Sequence, residues 1–228
     1  MSRYLLINLI IIFFPFLGSL LFYKHTVKRL NRFFISFLSV GIPFIIWDIV
    51  ATQRGDWGFN TSYVNSLRVF GLPLEEMLFF VTVPYACLFL YEGIKFFIFD
   101  TKFKPPSNFF IVSIGLLFVL LGFYFIFTPY TSTVFFVTGL TFLMLSLCFN
   151  FLLKTVHYYI YIILTFVLFF IFNSILTGIP IVSYSKDAIL NIRLGTVPLE
   201  DFFYNYAMLT LFLGVYELTG RKGSIKEE

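Results

Sequence analysis

The sequence predicts an all-α integral membrane protein with seven transmembrane helices, built as two parallel three-helix repeats around one linking helix (3+1+3). Two observations predict this fold class. First, the 228 residues are 59% hydrophobic and only 12% charged, with a mean hydropathy of +0.92, whereas soluble domains carry about 25% charged residues. Second, one charged segment occurs twice, at an offset of 125 positions: Arg68-Val-Phe-Gly-Leu-Pro73-Leu-Glu75-Glu76 and Arg193-Leu-Gly-Thr-Val-Pro198-Leu-Glu200-Asp201.

The same offset relates residues well outside these two segments, with no gap. The matched pairs are Phe44 and Phe169, Ile46 and Ile171, Thr52 and Thr177, Tyr91-Glu92 and Tyr216-Glu217, and, as a near match in shape, Asp48 and Asn173. The two halves of the chain are therefore expected to share one fold.

Seven apolar stretches are each about as long as the 20 residues that a membrane-spanning helix needs. Their predicted bounds are 4–23, 33–51, 72–93, 108–127, 132–153, 157–177 and 197–217. A basic turn at 24–32 is expected to separate the first two, and polar loops at 52–71 and 178–196 occupy equivalent places in the two halves. The first stretch is expected to be a retained helix, because no small-residue cleavage site follows it.

Subtracting 125 places the fifth, sixth and seventh spans on the first, second and third. We therefore expect a first repeat at 1–105, a linking helix at 106–128 and a second repeat with a basic tail at 129–228. Because four crossings separate equivalent helices, the repeats run in the same direction and are related by a pseudo-two-fold axis along the membrane normal. This symmetry places both charged segments at the same depth.

The distribution of Lys and Arg predicts the orientation in the cell membrane. Eleven of the sixteen lie in the 24–32 turn, the third–fourth and fifth–sixth connections and the C-terminal tail, and five lie in the remaining segments. Basic residues favour the cytoplasmic side. The expected multi-pass protein thus has its N-terminus outside, its C-terminus in the cytoplasm and both charged segments at the outer face.

Each charged segment has a structural explanation and a functional one. Pro73 and Pro198 suit the first turn of a helix, and acids just after them interact favourably with the helix dipole. A well-formed helix start would thus explain one copy. Two copies at equal depth favour a functional site, because ionisable residues at membrane depth are energetically costly and usually serve a function.

Adjacent acids on a helix point about 100° apart, so only one of each pair can face a given cavity. Glu75 and Glu200 are identical between the repeats and are expected to have the central role, with Glu76 and Asp201 as partners. The residues expected to orient these acids are Arg68, Arg193, Asp48 and Asn173.

Other classes of site have little support in the sequence. The basic residues lie between spans, which does not suggest nucleic-acid binding. Cys87 and Cys148 lie in apolar runs without the spacing of a disulfide or metal site, and His25 and His157 lie at span ends beside Lys. There is no glycine-rich nucleotide motif and no Lys in the last span that could hold retinal. No cofactor or metal is expected.

Several motifs together resemble the small integral-membrane lycopene cyclases, in the fused form of the two-subunit enzymes. They are the doubled Pro-Leu-Glu-Glu/Asp, Trp47-Asp48, Trp57-Gly58-Phe59-Asn60, and Phe172-Asn173-Ser174-Ile175-Leu176-Thr177-Gly178 followed by Pro180-Ile181-Val182. The resemblance implies an intramolecular lyase or isomerase that closes ionone rings, of the beta type, on the ends of lycopene or a related linear carotenoid in carotenoid biosynthesis. It also implies contact with other enzymes of that biosynthesis.

The residues fit this chemistry on their own terms. Cyclisation needs an acid that protonates a terminal alkene, a dry pocket for the cation, and a base that removes a ring proton. Glu75 and Glu200 are the acid and base candidates, and either could have either role. Some of the 35 Phe and 14 Tyr could line a tunnel whose ring faces stabilise the cation.

Two other hypotheses remain at this stage. A small transporter or channel could use a carboxylate relay on the repeat axis. A structural membrane subunit is also compatible with the composition, but it leaves the repeated acids unexplained.

Overall fold

The computed structural model describes residues 2–21, 23–101 and 104–224, with side chains described outside 23–28 and 222–224. Helices dominate this part of the chain. They are α1 (Arg3–Leu21), α2 (Tyr23–Ser36), α3 (Ile42–Arg54), α4 (Leu74–Phe97), α5 (Asn108–Tyr124), α6 (Pro129–Leu147), α7 (Val156–Gly178) and α8 (Leu199–Ser224). A π-helical turn (Phe37–Gly41) joins α2 to α3, and a 3-10 turn (Leu152–Lys154) precedes α7.

Five helical segments of the described chain are long and apolar enough to cross a membrane. They are Arg3–Leu21, Arg29–Arg54, Leu74–Phe97, Pro129–Leu147 and Val156–Gly178. Helix α5 is apolar but shorter, and α8 contains more polar residues. The chain is therefore an all-helical membrane protein.

The basic turn predicted at 24–32 is wrong, because α2 covers this segment and continues through the π-helical turn into α3. Positions 24–32 contain neither Gly nor Pro, so nothing there breaks a helix despite the charges. Helices α4 and α8 also extend beyond the predicted ends at 93 and 217, to Phe97 and Ser224.

A short hairpin precedes α4, and another precedes α8. Strands β2 (Arg68–Val69) and β3 (Leu72–Pro73) form the first, with Arg68 opposite Pro73. In the other half, β5 (Arg193–Leu194) and β6 (Val197–Pro198) form the second, with Arg193 opposite Pro198. Because the two registers differ by the 125-residue offset, the internal repeat read from the sequence is also a structural repeat.

A third pair of strands joins the two halves. Strand β1 (Trp57–Phe59) lies antiparallel to β4 (Val182–Tyr184), with Gly58 opposite Ser183. We call this pair the central ribbon. The offset of 125 maps β1 onto β4 and Gly58 onto Ser183, so a local two-fold axis passes between these two residues.

The main apolar core packs α4 and α8 against α3 and α7. Its most buried members include Tyr161, Phe212 and Leu213, each 0% exposed. Helix α5, which has no counterpart in the repeat, packs on α6. A Cβ at Gly139 would lie 2.8 Å from the Gly115 carbonyl oxygen, so the two glycines allow these helices to approach closely.

Candidate active site

A small cavity of about 80 Å³ lies beside the central ribbon. We call it the acid cavity, because three carboxyl side chains line it. These are Asp48 of α3 and Glu76 of α4 from the first half, and Asp201 of α8 from the second. The other lining residues are Tyr4, Trp57, Phe59, Phe79, Phe80, Tyr130, Phe169, Asn173, Leu176, Val182, Tyr184 and Tyr204. The two halves therefore contribute to one site.

Asp201 is held by three hydrogen bonds. Its Oδ1 accepts from the Tyr130 hydroxyl at 2.7 Å, and its Oδ2 accepts from the Asn173 amide and the Tyr184 hydroxyl, each at 2.7 Å. These donors come from α6, α7 and the central ribbon, respectively. The carboxyl group is only 3% exposed and has a fixed orientation.

The two acids of the first half are held less completely. Glu76 Oε2 accepts from the Tyr4 hydroxyl of α1 at 2.5 Å. Asp48 Oδ1 accepts from Trp57 Nε1 at 2.8 Å and from the Thr52 hydroxyl at 3.3 Å. Asp48 Oδ2 is buried and has no hydrogen-bond partner among the described residues. Glu75 Oε2 and Glu200 Oε2 are likewise buried without a hydrogen-bond partner among the described residues, so this property does not distinguish the acids of the cavity.

Glu75 and Glu200 do not line the acid cavity, contrary to the expected geometry. Each is 1% exposed and binds the start of a helix and a loop. Glu75 Oε1 accepts from the Ser2 hydroxyl at 2.5 Å and from the Asn65 backbone N–H at 2.8 Å. Neighbouring positions on a helix differ by about 100°, so with Glu75 turned toward the loop, Glu76 faces the cavity.

Glu200 also accepts from a hydroxyl group and a loop N–H, and only the loop N–H is equivalent by the repeat offset. Its Oε1 accepts from the Thr131 hydroxyl and from the Leu190 backbone N–H, each at 2.6 Å. Leu190 lies 125 positions after Asn65. Glu75 and Glu200, the identical acids of the two halves, therefore each bind the loop that precedes their own helix.

Arg68 and Arg193 bind their own hairpins, and neither lines the acid cavity. Arg68 donates to the Gly71 carbonyl at 3.1 Å, and Arg193 donates to the Thr196 carbonyl at 2.7 Å. The guanidinium of Arg193 also lies over the ring of Tyr184, 5.8 Å from its centroid. The contact of Arg193 with the site is therefore indirect.

Sequence reasoning missed the tyrosines that bind the acids. Tyr4 and Tyr130 each lie at the start of the first helix of a half, 126 positions apart, so they fall one position out of the repeat register. A search that allowed a one-residue gap would have paired them.

Tyr184 occupies the position that Phe59 has in the first half, 125 residues earlier. Burial and the nearby Asp201 raise the pKa of Tyr184 well above its usual value, so its hydroxyl remains a donor at neutral pH.

A much larger groove of about 650 Å³ adjoins the acid cavity. Helices α1, α4, α7 and α8 line it almost entirely with apolar side chains. We call it the apolar groove. The residues shared with the acid cavity are Phe79, Phe169, Asn173 and Tyr204. An apolar chain in the groove would thus have one end next to the three carboxyl groups.

The far ends of α4 and α8 carry a separate charged cluster. Glu92 accepts from the Tyr216 hydroxyl at 2.7 Å and pairs with Arg29 at 3.2 Å. Glu217 pairs with Lys95 at 2.9 Å. These contacts tie helix ends together at a distance from the acid cavity.

Comparison with known proteins identifies a family. The model of the family described as Lycopene cyclase matches residues 2–94 and, a second time, residues 127–219. The two matches cover well over half of the 228 residues. They also confirm the internal repeat and the resemblance inferred from the motifs. No curated protein and no solved structure matches the chain.

Proposed function

The chain belongs to the lycopene cyclase family, and on this premise we propose that it closes beta-type ionone rings on the linear ends of lycopene, without net redox change. The observation that carries this proposal is the junction of the apolar groove with the acid cavity at Asn173 and Tyr204. A carotenoid is an apolar chain, and its cyclisation needs acid–base groups at one end of that chain.

The chemistry balances within the cavity. A carboxylic acid donates its proton to the terminal double bond, and the electrons of an inner double bond close the six-membered ring. The resulting cation then loses a ring proton to a carboxylate, so substrate and product are isomers. General acid–base catalysis of this kind typically contributes about 10²- to 10⁴-fold in rate.

We propose that Glu76, Asp48 and Asp201 carry these proton transfers. No Lys, Arg or His is among the described residues that line the acid cavity. Three negative charges without a cation would be costly in so small a space. At least one of the carboxyl groups therefore holds a proton in the resting enzyme. Asp201, with three donors, is best suited to be the carboxylate that removes the ring proton.

Glu75 and Glu200 have a supporting role in this proposal. Each is a neighbour of a cavity acid and fixes the start of its helix through a loop N–H and a hydroxyl group. Arg68 and Arg193 close the hairpins from which these helices begin. The rings of Phe79, Phe169 and Tyr204 stand at the junction, where aromatic faces can stabilise a cation.

The arrangement in the membrane is part of the proposal. We propose that α5 and α8 also cross the bilayer, which gives seven spans arranged as 3+1+3, with repeats at 1–105 and 129–228 and a linking segment at 106–128. The Lys and Arg distribution supports an external N-terminus and a cytoplasmic tail. Contact with other carotenoid-pathway enzymes stays a prediction.

Pigment analysis tests the function directly. A host that makes lycopene and expresses this chain should accumulate cyclic carotenoids with beta rings, whereas the same host with an empty vector should retain lycopene. A pigment profile unchanged by well-expressed, membrane-inserted protein would contradict the proposal. The transporter and structural-subunit hypotheses both predict that unchanged profile.

A further inference from the structure

We propose that each binding event presents only one end of the carotenoid to the acids, so that the monocyclic product must leave the apolar groove and bind again, reversed, to gain its second ring. This inference rests on the proposed function. It concerns the order of events at the same site and follows from the asymmetry of the groove.

The apolar groove meets acids at one end only. On α4 it runs from Phe79, at the acid cavity, to Phe97, at the other end of the helix. These residues are about 27 Å apart at 1.5 Å per residue. None of the described residues that line the groove is charged, so the far end of a bound chain lies next to apolar side chains.

The equivalent groove in the other half is filled. At the 125-residue offset, three groove residues that are small or polar correspond to large apolar residues in the other half. Gly93 corresponds to Leu218 and Cys87 to Phe212. Asn205, which belongs to the second half, corresponds to Phe80 in the first. Phe212 is 0% and Phe80 2% exposed, so both are packed into the core.

Close helix packing accompanies this filling. A Cβ at Gly41 would lie 3.1 Å from the ring of Phe212, which leaves no space between α8 and the π-helical turn at that point. A carotenoid therefore cannot pass through the acid cavity from one groove into another, with both ends bound at once.

The groove opens sideways between α1 and α7, where Ile10, Phe14 and Leu168 are 52%, 74% and 41% exposed. In a bilayer this opening faces lipid. Substrate and monocyclic product can thus exchange with the membrane without crossing the protein.

An isotope-dilution experiment tests the proposal. Membranes containing the enzyme are given ¹³C-labelled lycopene together with an excess of unlabelled monocyclic carotenoid carrying the same ring. We expect labelled monocyclic carotenoid to accumulate, and the label in the bicyclic product to fall in proportion to the excess. Labelled bicyclic product that appears undiluted would overturn this inference while supporting the proposed function. Absence of any cyclic product would overturn the proposed function, and this inference with it.

Gly93→Phe tests whether the groove is the binding site. A Cβ at Gly93 meets no heavy atom within 4 Å, so the new ring has space within the groove and the fold should tolerate it. We expect at least a tenfold loss of rate with both lycopene and the monocyclic carotenoid. The matched control is Val167→Phe, since Val167 is 53% exposed on the outer face of α7. Unchanged rates in Gly93→Phe would mean that the groove holds only membrane lipid, and would overturn the inference.

Discussion

The indole N–H of Trp57 donates to Asp48 Oδ1 at 2.8 Å. Trp57 lies opposite Tyr184 in the central ribbon, and Tyr184 in turn donates to Asp201. The ribbon thus holds one acid from each half of the chain, close to the local two-fold axis at Gly58 and Ser183. It orients the acids and encloses their cavity.

Trp57→Phe should lower activity without loss of the fold. The variant keeps an aromatic ring to pack on Tyr130, whose centroid lies 4.8 Å from that of Trp57. It removes the closer of the two donors to buried Asp48 Oδ1 and leaves only the Thr52 hydroxyl at 3.3 Å. A fully unsatisfied buried acceptor costs about 1–3 kcal/mol, which corresponds to roughly a 5- to 150-fold effect on the transition state. Because the longer Thr52 bond remains, we expect a loss toward the lower end of this range. Initial rates of lycopene cyclisation in membranes measure it.

Trp47→Phe is the matched control for this variant. The Trp47 indole N–H is buried and has no hydrogen-bond partner among the described residues, so its removal breaks no hydrogen bond identified in the structure. Equal losses in the two variants would show that ring volume, rather than the bond to Asp48, determines the rate.

Glu76→Gln and Asp201→Asn should abolish ring closure, whereas Glu75→Gln and Glu200→Gln should retain most of it. The first two remove a titratable proton from the acid cavity, which is typically worth about 10²- to 10⁴-fold. The other two keep the Oε1 acceptor that binds a loop N–H, so we expect less than about a tenfold loss. The measurement is the initial rate, normalised to protein extracted from membranes.

Glu92→Gln, in the far charged cluster, is the control for charge removal at a distance. It should remain active. Loss of activity in Glu75→Gln and Glu200→Gln, with Glu76→Gln and Asp201→Asn active, would return the acid–base role to the residues that the sequence alone favoured.

The difference between these two assignments shows what the sequence could and could not determine. The 125-residue offset located the acidic segments and identified Asp48 and Asn173 as residues near them. It favoured Glu75 and Glu200 because they are identical between the repeats, whereas in the structure both accept from a loop N–H, of Asn65 and Leu190 respectively, and Glu76 and Asp201 line the acid cavity. Which of two adjacent acids faces a cavity depends on the rotation of the helix, and the hairpin before the helix fixes that rotation through long-range contacts.

The two halves should be inactive alone and active together. Asp48 and Glu76 belong to 1–105, while Asp201 and Asn173 belong to 106–228, and all four line the acid cavity. We expect no cyclic pigment from either fragment and cyclic pigment when both are expressed in one lycopene-making host. Each fragment is also expressed in a separate host that carries no copy of the other. Full cyclisation by a single fragment there would show that one half builds a complete site.

The proposed orientation predicts which side of the membrane each loop faces. In a chain whose Cys87 and Cys148 are replaced by Ser, Ser62→Cys should react with a membrane-impermeant maleimide applied to intact cells, because Ser62 is exposed and the proposed orientation places its loop outside. A reporter fused after Glu228 should be active only in the cytoplasm. Protection of the cysteine at position 62 in intact cells, with labelling after lysis, would invert the orientation and place both acidic segments on the cytoplasmic side.

Tyr184→Phe should lower the rate by a factor that does not change between about pH 7 and about pH 9. Burial and Asp201 raise the pKa of Tyr184 above its usual value, which is about 10 for tyrosine. A raised phenol pKa means that the protonated form persists to higher pH, so the hydroxyl donates to Asp201 throughout this range. The lost hydrogen bond to a charged group is worth about 1.5–3 kcal/mol, although Tyr130 and Asn173 still hold Asp201 and should limit the loss.

The ratio of the wild-type rate to the variant rate, measured in sealed membranes equilibrated at each pH, checks this prediction. A ratio that approaches one as the pH rises would show that Tyr184 loses its proton within the range, and that its hydroxyl is less enclosed than the contact with Asp201 indicates.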